Sequence, residues 1–130
     1  MTPHLKLNEA MLGGAKIALI PGDPGRVPRM AKHLAEPRPL AHHREYMSYG
    51  GHVGAHTVVV CSTGIGGPSA AICIEELARL GVRTFIRVGT TGAIRPGIAV
   101  GDAIITQAAV RLEGTSQHFA PIEYHSLAML

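Results

Sequence analysis

An α/β fold, with a mixed and mainly parallel β-sheet flanked by helices, follows from three observations. Two short apolar runs rich in β-branched residues, Thr57 to Cys61 and Thr84 to Val88, have strand character. Between them Ala71, Ile74, Leu77 and Ala78 recur at helical spacing. Each run breaks into a glycine-rich turn, Ser62-Thr63-Gly64-Ile65-Gly66-Gly67 and Gly89-Thr90-Thr91-Gly92. If the two strands are parallel neighbours, both turns lie on one edge of the sheet, where open α/β folds bind ligands.

The helix of this unit has defined ends. Pro68 suits a first helical position, where a missing N–H costs nothing. Glu75 and Arg79 form an i,i+4 pair on the wet side, and Gly81 supplies a left-handed cap.

The other elements fall on either side. Met1 to Gly14 is expected as a flexible lead-in with one weak element. Ala15 to Ile20 is apolar enough for a strand buried on both faces. It runs into Pro21-Gly22-Asp23-Pro24-Gly25-Arg26, a turn by its local chemistry. Val27 to Leu34 suits a helix with Val27, Met30, Ala31 and Leu34 on one face, and Glu36 to Leu40 a proline-bracketed connection. His42 to Val53 ends extended, and Gly54 marks a hairpin turn into the Thr57 strand. Ile94 to Gly101 is a loop, Asp102 to Thr106 a strand, and Glu113 to Tyr124 polar loop. His125 to Leu130 starts a new apolar element.

Composition narrows the function. At 130 residues and 46% hydrophobic the chain suits one aliphatic domain. No apolar run reaches membrane-spanning length and the N-terminus lacks a signal-peptide pattern, so the expected location is cytoplasmic, with no membrane partner. Cys61 and Cys73 are expected as reduced, buried thiols. A net charge of +3 is too mild and scattered for nucleic acid. Nine of the twelve cations are arginine, whose planar fork suits a small phosphate or carboxylate.

Three strands thus end in glycine turns, where backbone amides can approach a ligand closely. Arg26 and Arg87 stand beside two of them, and Thr63 and Ser69 bring hydroxyls to the third. Arg87 interrupts an apolar strand, so it needs a partner: a bound anion, or a carboxylate such as Asp23 or Glu45. Gly64 to Ser69 lacks the third glycine of a dinucleotide fingerprint, and the next strand carries no ribose-binding acid; Arg87 could meet a 2′-phosphate, which keeps an NADP-binding module as an alternative. His52 and His56 flank Gly54 in a hairpin, a poor metal site, and Cys61 has no evident histidine base.

Four motifs in order carry a resemblance. Ser62 to Leu77 (STGIGGPSAAICIEEL), Pro21 to Arg26, Phe85 to Ala93 (FIRVGTTGA) and His43-Arg44-Glu45-Tyr46 are similar to segments of the nucleoside phosphorylase family, of the purine nucleoside phosphorylase/uridine phosphorylase type. Gly89 to Gly92, Val110 to Gly114 and His118 to Pro121 resemble its uridine-cleaving branch. The resemblance implies a three-layer α/β domain, of which residues 1–130 would be the N-terminal half, with the base-contacting half absent.

It also implies phosphorolysis of uridine to uracil and ribose 1-phosphate, with inorganic phosphate as co-substrate and no organic cofactor. Carried over by position, Gly22, Arg26, Arg87 and Thr90 would hold phosphate, with Arg26 and Arg87 catalytic. Arg44 would reach a neighbouring subunit's phosphate, and His4 its ribose, which Thr90 also touches. Glu45, Ile65 and Ser69 match a site for a monovalent cation such as potassium. The expected assembly is a homohexamer, a trimer of dimers. A phosphorylase of another nucleoside, purine or thymidine, and a non-catalytic interaction fragment are the remaining alternatives. The isolated chain is expected to bind phosphate weakly and turn over nothing.

Overall fold

The computed structural model describes residues 1–124 and 126–127. The chain divides into two compact units, Met1–Gly89 and Thr90–Leu130.

The first unit is built on a five-stranded mixed sheet of order β2-β3-β4-β1-β5. Its strands are β1 (Ile17–Ile20), β2 (Ala35–His43), β3 (Tyr46–Val53), β4 (His56–Cys61) and β5 (Thr84–Arg87). The strands before and after the long helix are not neighbours. Both pair in parallel with β1, which lies between them, so the carboxyl ends of β4, β1 and β5 still share one edge. β2, β3 and β4 pair antiparallel, and Gly54 turns the β3–β4 hairpin at φ 56.

Side-chain alternation covers both sheet faces, as a period of two requires. Ala18, Ile20, Val59 and Cys61 pack on one side against Cys73 and Leu77 of helix α3 (Gly67–Arg79). Val60 packs on the other against Val27 of helix α2 (Val27–Ala31) and Leu34. The buried stripe of α3 is Cys73, Glu76 and Leu77; Ala71, Ile74 and Ala78 are only half-buried. Gly81, at φ 98, closes α3 as the periodicity required: its N–H donates to Ala78 O and that of Val82 to Leu77 O.

Three local expectations are corrected. Met1 to Gly14 is no flexible lead-in, because Leu5, Leu7 and Leu12 enter the core. Its helix α1 (Glu9–Leu12) is capped by the Asn8 side chain. Glu36 to Leu40 is not a connection but part of β2. Pro37 and Pro39 are accepted there because β2 is the outermost strand, and its pairing shifts register across Pro37 and just after Pro39.

The third correction lies in the second unit. No strand forms over 102–106. Ile104 and Ile105 are exposed, and an apolar run without a partner ladder cannot satisfy its backbone groups as a strand. The strands described there are β6 (Ala108–Ala109) and β7 (Ser126–Leu127), paired antiparallel. Arg111 organises the Glu113 to Tyr124 loop by donating to the carbonyls of Ser116, Ala120, Pro121 and Tyr124. The apolar element read at 125–130 is described only at Ser126–Leu127; the rest lies outside the described residues. Among the described residues no helix is long and apolar enough to cross a membrane.

Candidate functional site

The site builds at the shared carboxyl edge of β1, β4 and β5. The loops after β1 and β4 are zipped together: Thr63 N–H donates to Pro21 O and Gly64 N–H to Gly22 O, each at 2.9 Å. The parallel ladder thereby continues past the strand ends. Ser62 Oγ donates to Glu45 O at 2.6 Å and accepts from Met47 N–H at 2.8 Å, which binds the β2–β3 turn to the same edge. The result is an open cleft of about 640 Å3 lined by Gly22, Asp23, Pro24, Glu45, Gly64, Ile65, Gly66 and Arg87.

Two arginines 61 positions apart in the sequence meet here. Arg87 Nη1 donates to Ile20 O at 3.2 Å and to Val88 O at 3.0 Å. Arg26 Nη1 donates to the same Val88 O at 3.3 Å. One carbonyl thus holds both guanidinium groups on one side of the sheet. Their remaining N–H groups have no hydrogen-bond partner among the described residues, and neither arginine is ion-paired there.

The carboxylate alternative for Arg87 is not realised. Asp23 instead accepts from Gly25 N–H at 2.9 Å and caps the short 3-10 turn Pro24–Arg26 that presents Arg26. Glu45 accepts from Ser69 Oγ at 3.0 Å. A hydrogen bond from its own backbone N–H, then that of Ser69, holds the Glu45 carboxyl below the usual carboxylate range.

Glycine is required at Gly64 and relieves close contacts at Gly22. A Cβ at Gly22 would stand 3.3 Å from Arg87 Nη2 and from Gly64 O. A Cβ at Gly64, where φ is +70, would stand 2.7 Å from Glu45 Cγ and 2.9 Å from Ser69 Oγ. Past Gly66, α3 begins with no side-chain cap on its first amides.

Gly22 and Arg87 line the cleft together, with Glu45 bonded to Ser69 and Ile65 98% exposed there; Arg26 meets Arg87 at Val88 O but does not itself line the cleft. Arg44 is exposed at φ 57 in the β2–β3 turn and does not line the cleft. His4 does not line it either; its Nδ1 lies 2.6 Å from Glu76 Oε1. Thr90 opens the second unit and is exposed.

Glu76 was missed at the level of sequence. Its signal was its place on α3, beside Cys73 and Leu77 on the buried stripe. His52 and His56 pair with Thr57 and Val53 across the hairpin, so their side chains leave opposite sheet faces. Cys61 and Cys73 are free, buried thiols 3.7 Å apart.

Residues 16–128 match the family model described as the phosphorylase superfamily. The chain belongs to the phosphorylase superfamily. It is 58% identical over 125 residues to the uridine phosphorylase of Haemophilus influenzae, covering 96% of this chain and 50% of that protein. It is 54% identical over 125 residues to the uridine phosphorylase of Salmonella typhimurium, covering 96% of this chain and 49% of that protein. It is 44% identical to the guanosine phosphorylase of Halorubrum lacusprofundi over 122 residues, which is 94% of this chain and 50% of that protein. The chain spans about half the length of these relatives of the superfamily.

Proposed function

We propose that this phosphorylase-superfamily chain carries the phosphate-holding part of a nucleoside phosphorylase that cleaves uridine to uracil and ribose 1-phosphate. The observation that supports it most is the meeting of Arg26 and Arg87 on Val88 O beside the glycine turns at Gly22 and at Gly64 to Gly67. Two forked cations with N–H groups to spare suit a single oxyanion. Gly22 and the open amides at the start of α3 add neutral donors.

The chemistry needs no protein nucleophile. An oxygen of the held phosphate forms a bond to C1′ of the ribose as the C1′–N1 bond breaks. The electron pair leaves with the uracil, which takes up a proton. The sugar passes through an oxocarbenium-like state that the phosphate dianion both stabilises and attacks. The arginines supply alignment and fixed positive charge where the phosphate must be held.

His4 and Arg44 lie away from the cleft and would serve the ribose and phosphate of a neighbouring copy in a homohexamer. Glu45, Ser69 and Ile65 would offer oxygen donors, which suit a hard monovalent cation such as potassium. Guanosine is the second nucleoside to test, on the likeness to the guanosine phosphorylase of Halorubrum lacusprofundi.

Calorimetric titration with inorganic phosphate tests the holding site directly. Saturable binding is expected, weakened about 10- to 100-fold by Arg87→Ala. Phosphate-dependent release of uracil or guanine tests the chemistry. The relatives' additional length carries the base contacts under this reading, so the 130-residue chain alone is expected to bind phosphate without turnover. Phosphate binding that survives both Arg26→Ala and Arg87→Ala would remove the reading.

A further inference from the structure

Glu76 is a carboxylate in the hydrophobic core, only 4% exposed, on the face of α3 that packs beneath the N-terminal segment. Its oxygens are fully engaged. Oε1 accepts from His4 N–H at 3.1 Å, and Oε2 accepts from Leu5 N–H at 2.9 Å. His4 Nδ1 closes the set at 2.6 Å from Oε1. Backbone and ring of one residue are thus held by one side chain that is 72 positions away in the chain.

A second histidine fixes the same peptide from the other side. His43 Nδ1 lies 2.8 Å from His4 O, and a carbonyl only accepts, so His43 donates. His4 is therefore fixed through its N–H, its C=O and its ring. The ring is still 41% exposed, and its Nε2 has no partner among the described residues. An ionised carboxylate against Nδ1 requires the proton there, which leaves Nε2 as the nitrogen presented for recognition.

We infer that Glu76 is the positioning residue for His4: it holds the imidazole in the Nδ1–H form and presents Nε2 as a hydrogen-bond acceptor for a ligand hydroxyl. This rests on the phosphorylase reading, in which that hydroxyl belongs to the ribose of a nucleoside. Glu76 itself touches no ligand.

Ring nitrogen NMR of the folded 130-residue chain tests the positioning without any substrate. Above pH 8 His4 is expected in the Nδ1–H form, the minority tautomer of a free imidazole. In Glu76→Gln, whose amide can donate toward the ring, the proton is expected on Nε2. Glu76→Asp is expected to keep the Nδ1–H form. An Nε2–H ring in the unaltered chain overturns the inference, and so does a folded Glu76→Gln with the tautomer unchanged. Should Glu76→Gln fail to fold, the tautomer of the unaltered chain still decides.

Uridine then tests the recognised group. It is expected to move the His4 Nε2 resonance, which inorganic phosphate alone leaves in place. In Glu76→Gln the uridine dissociation constant is expected to rise about tenfold with that for phosphate unchanged. Uridine that shifts other resonances but leaves Nε2 unmoved overturns the ligand assignment. A chain on which uridine shifts nothing likewise overturns the ligand assignment, whereas the tautomer alone decides the positioning and the phosphate titration decides the phosphorylase reading.

Discussion

Arg26 and Arg87 donate to one and the same oxygen, the carbonyl of Val88, at 3.3 Å and 3.0 Å. They are 61 positions apart in the chain, yet this shared acceptor places two like charges side by side at one sheet edge. Like charges that close repel, and no carboxylate pairs with either among the described residues. A bound dianion turns that repulsion into attraction for both.

The two arginines should therefore act as a unit. Arg26→Ala and Arg87→Ala are each expected to weaken phosphate binding by about 1.5–3 kcal/mol, and the double variant by less than the sum. Calorimetry on the four proteins measures the coupling. Strict additivity would mean that the two forks do not share an anion. Where turnover can be assayed, either loss is expected to raise the barrier by about 2.7–4 kcal/mol.

Gly64→Ala separates crowding from backbone strain. Its Cβ would meet Glu45 Cγ at 2.7 Å as well as occupy a left-handed backbone at φ +70. Gly54 has a similar φ of +56 and open space around it. Thermal denaturation is expected to show a loss of about 1–2 kcal/mol for Gly54→Ala and about 3 kcal/mol for Gly64→Ala. Equal losses would leave the Glu45–Ser69 contact without a part in the cost.

Acid should loosen the N-terminal segment through Glu76. Burial pushes its carboxyl up, but the N–H of Leu5, the His4 ring and the N–H of His4 together hold it below its ordinary value of 4.5. A lowered value in the folded state contributes stability that is complete above the unfolded value and is lost as pH falls through the folded one. Denaturation followed from pH 7 to pH 3 should show a stability difference between the natural chain and Glu76→Gln that shrinks below about pH 4.5. Glu45 and Glu113 are also held low and remain in both proteins, so the difference reports Glu76 together with its His4 partner.

The two cysteines should be silent toward thiol reagents. The hydrogen bond shared with Cys73, then burial, pushes the Cys61 thiol well above its ordinary range, and both side chains are inaccessible. Native protein at pH 8 is expected to leave both unmodified, with two thiols titrating only in denaturant. Rapid reaction of one thiol in the native chain would place it outside the core.

Much of the fold could be read from short-range rules. The runs at β1, β4 and β5, the Gly81 cap of α3 and the Gly54 hairpin each depend on residues within a few positions of one another. The errors arose where a local signal met a distant neighbour. Pro37 and Pro39 argue against a strand until β2 is known to be an edge, where a missing donor faces no partner. Ile104 and Ile105 argue for a strand until no ladder is found beside them.

Residue order alone set the glycine turns, the arginines beside them and the family, because those depend on the identity of residues at fixed short spacings. Folding set the rest. It placed β1 between β4 and β5, brought Arg26 and Arg87 onto one carbonyl, gave Asp23 to a turn rather than an ion pair, and put Glu76 under His4. Each of these joins groups far apart in the chain, and only the burial of two sheet faces, which no local pattern encodes, fixes which distant groups meet.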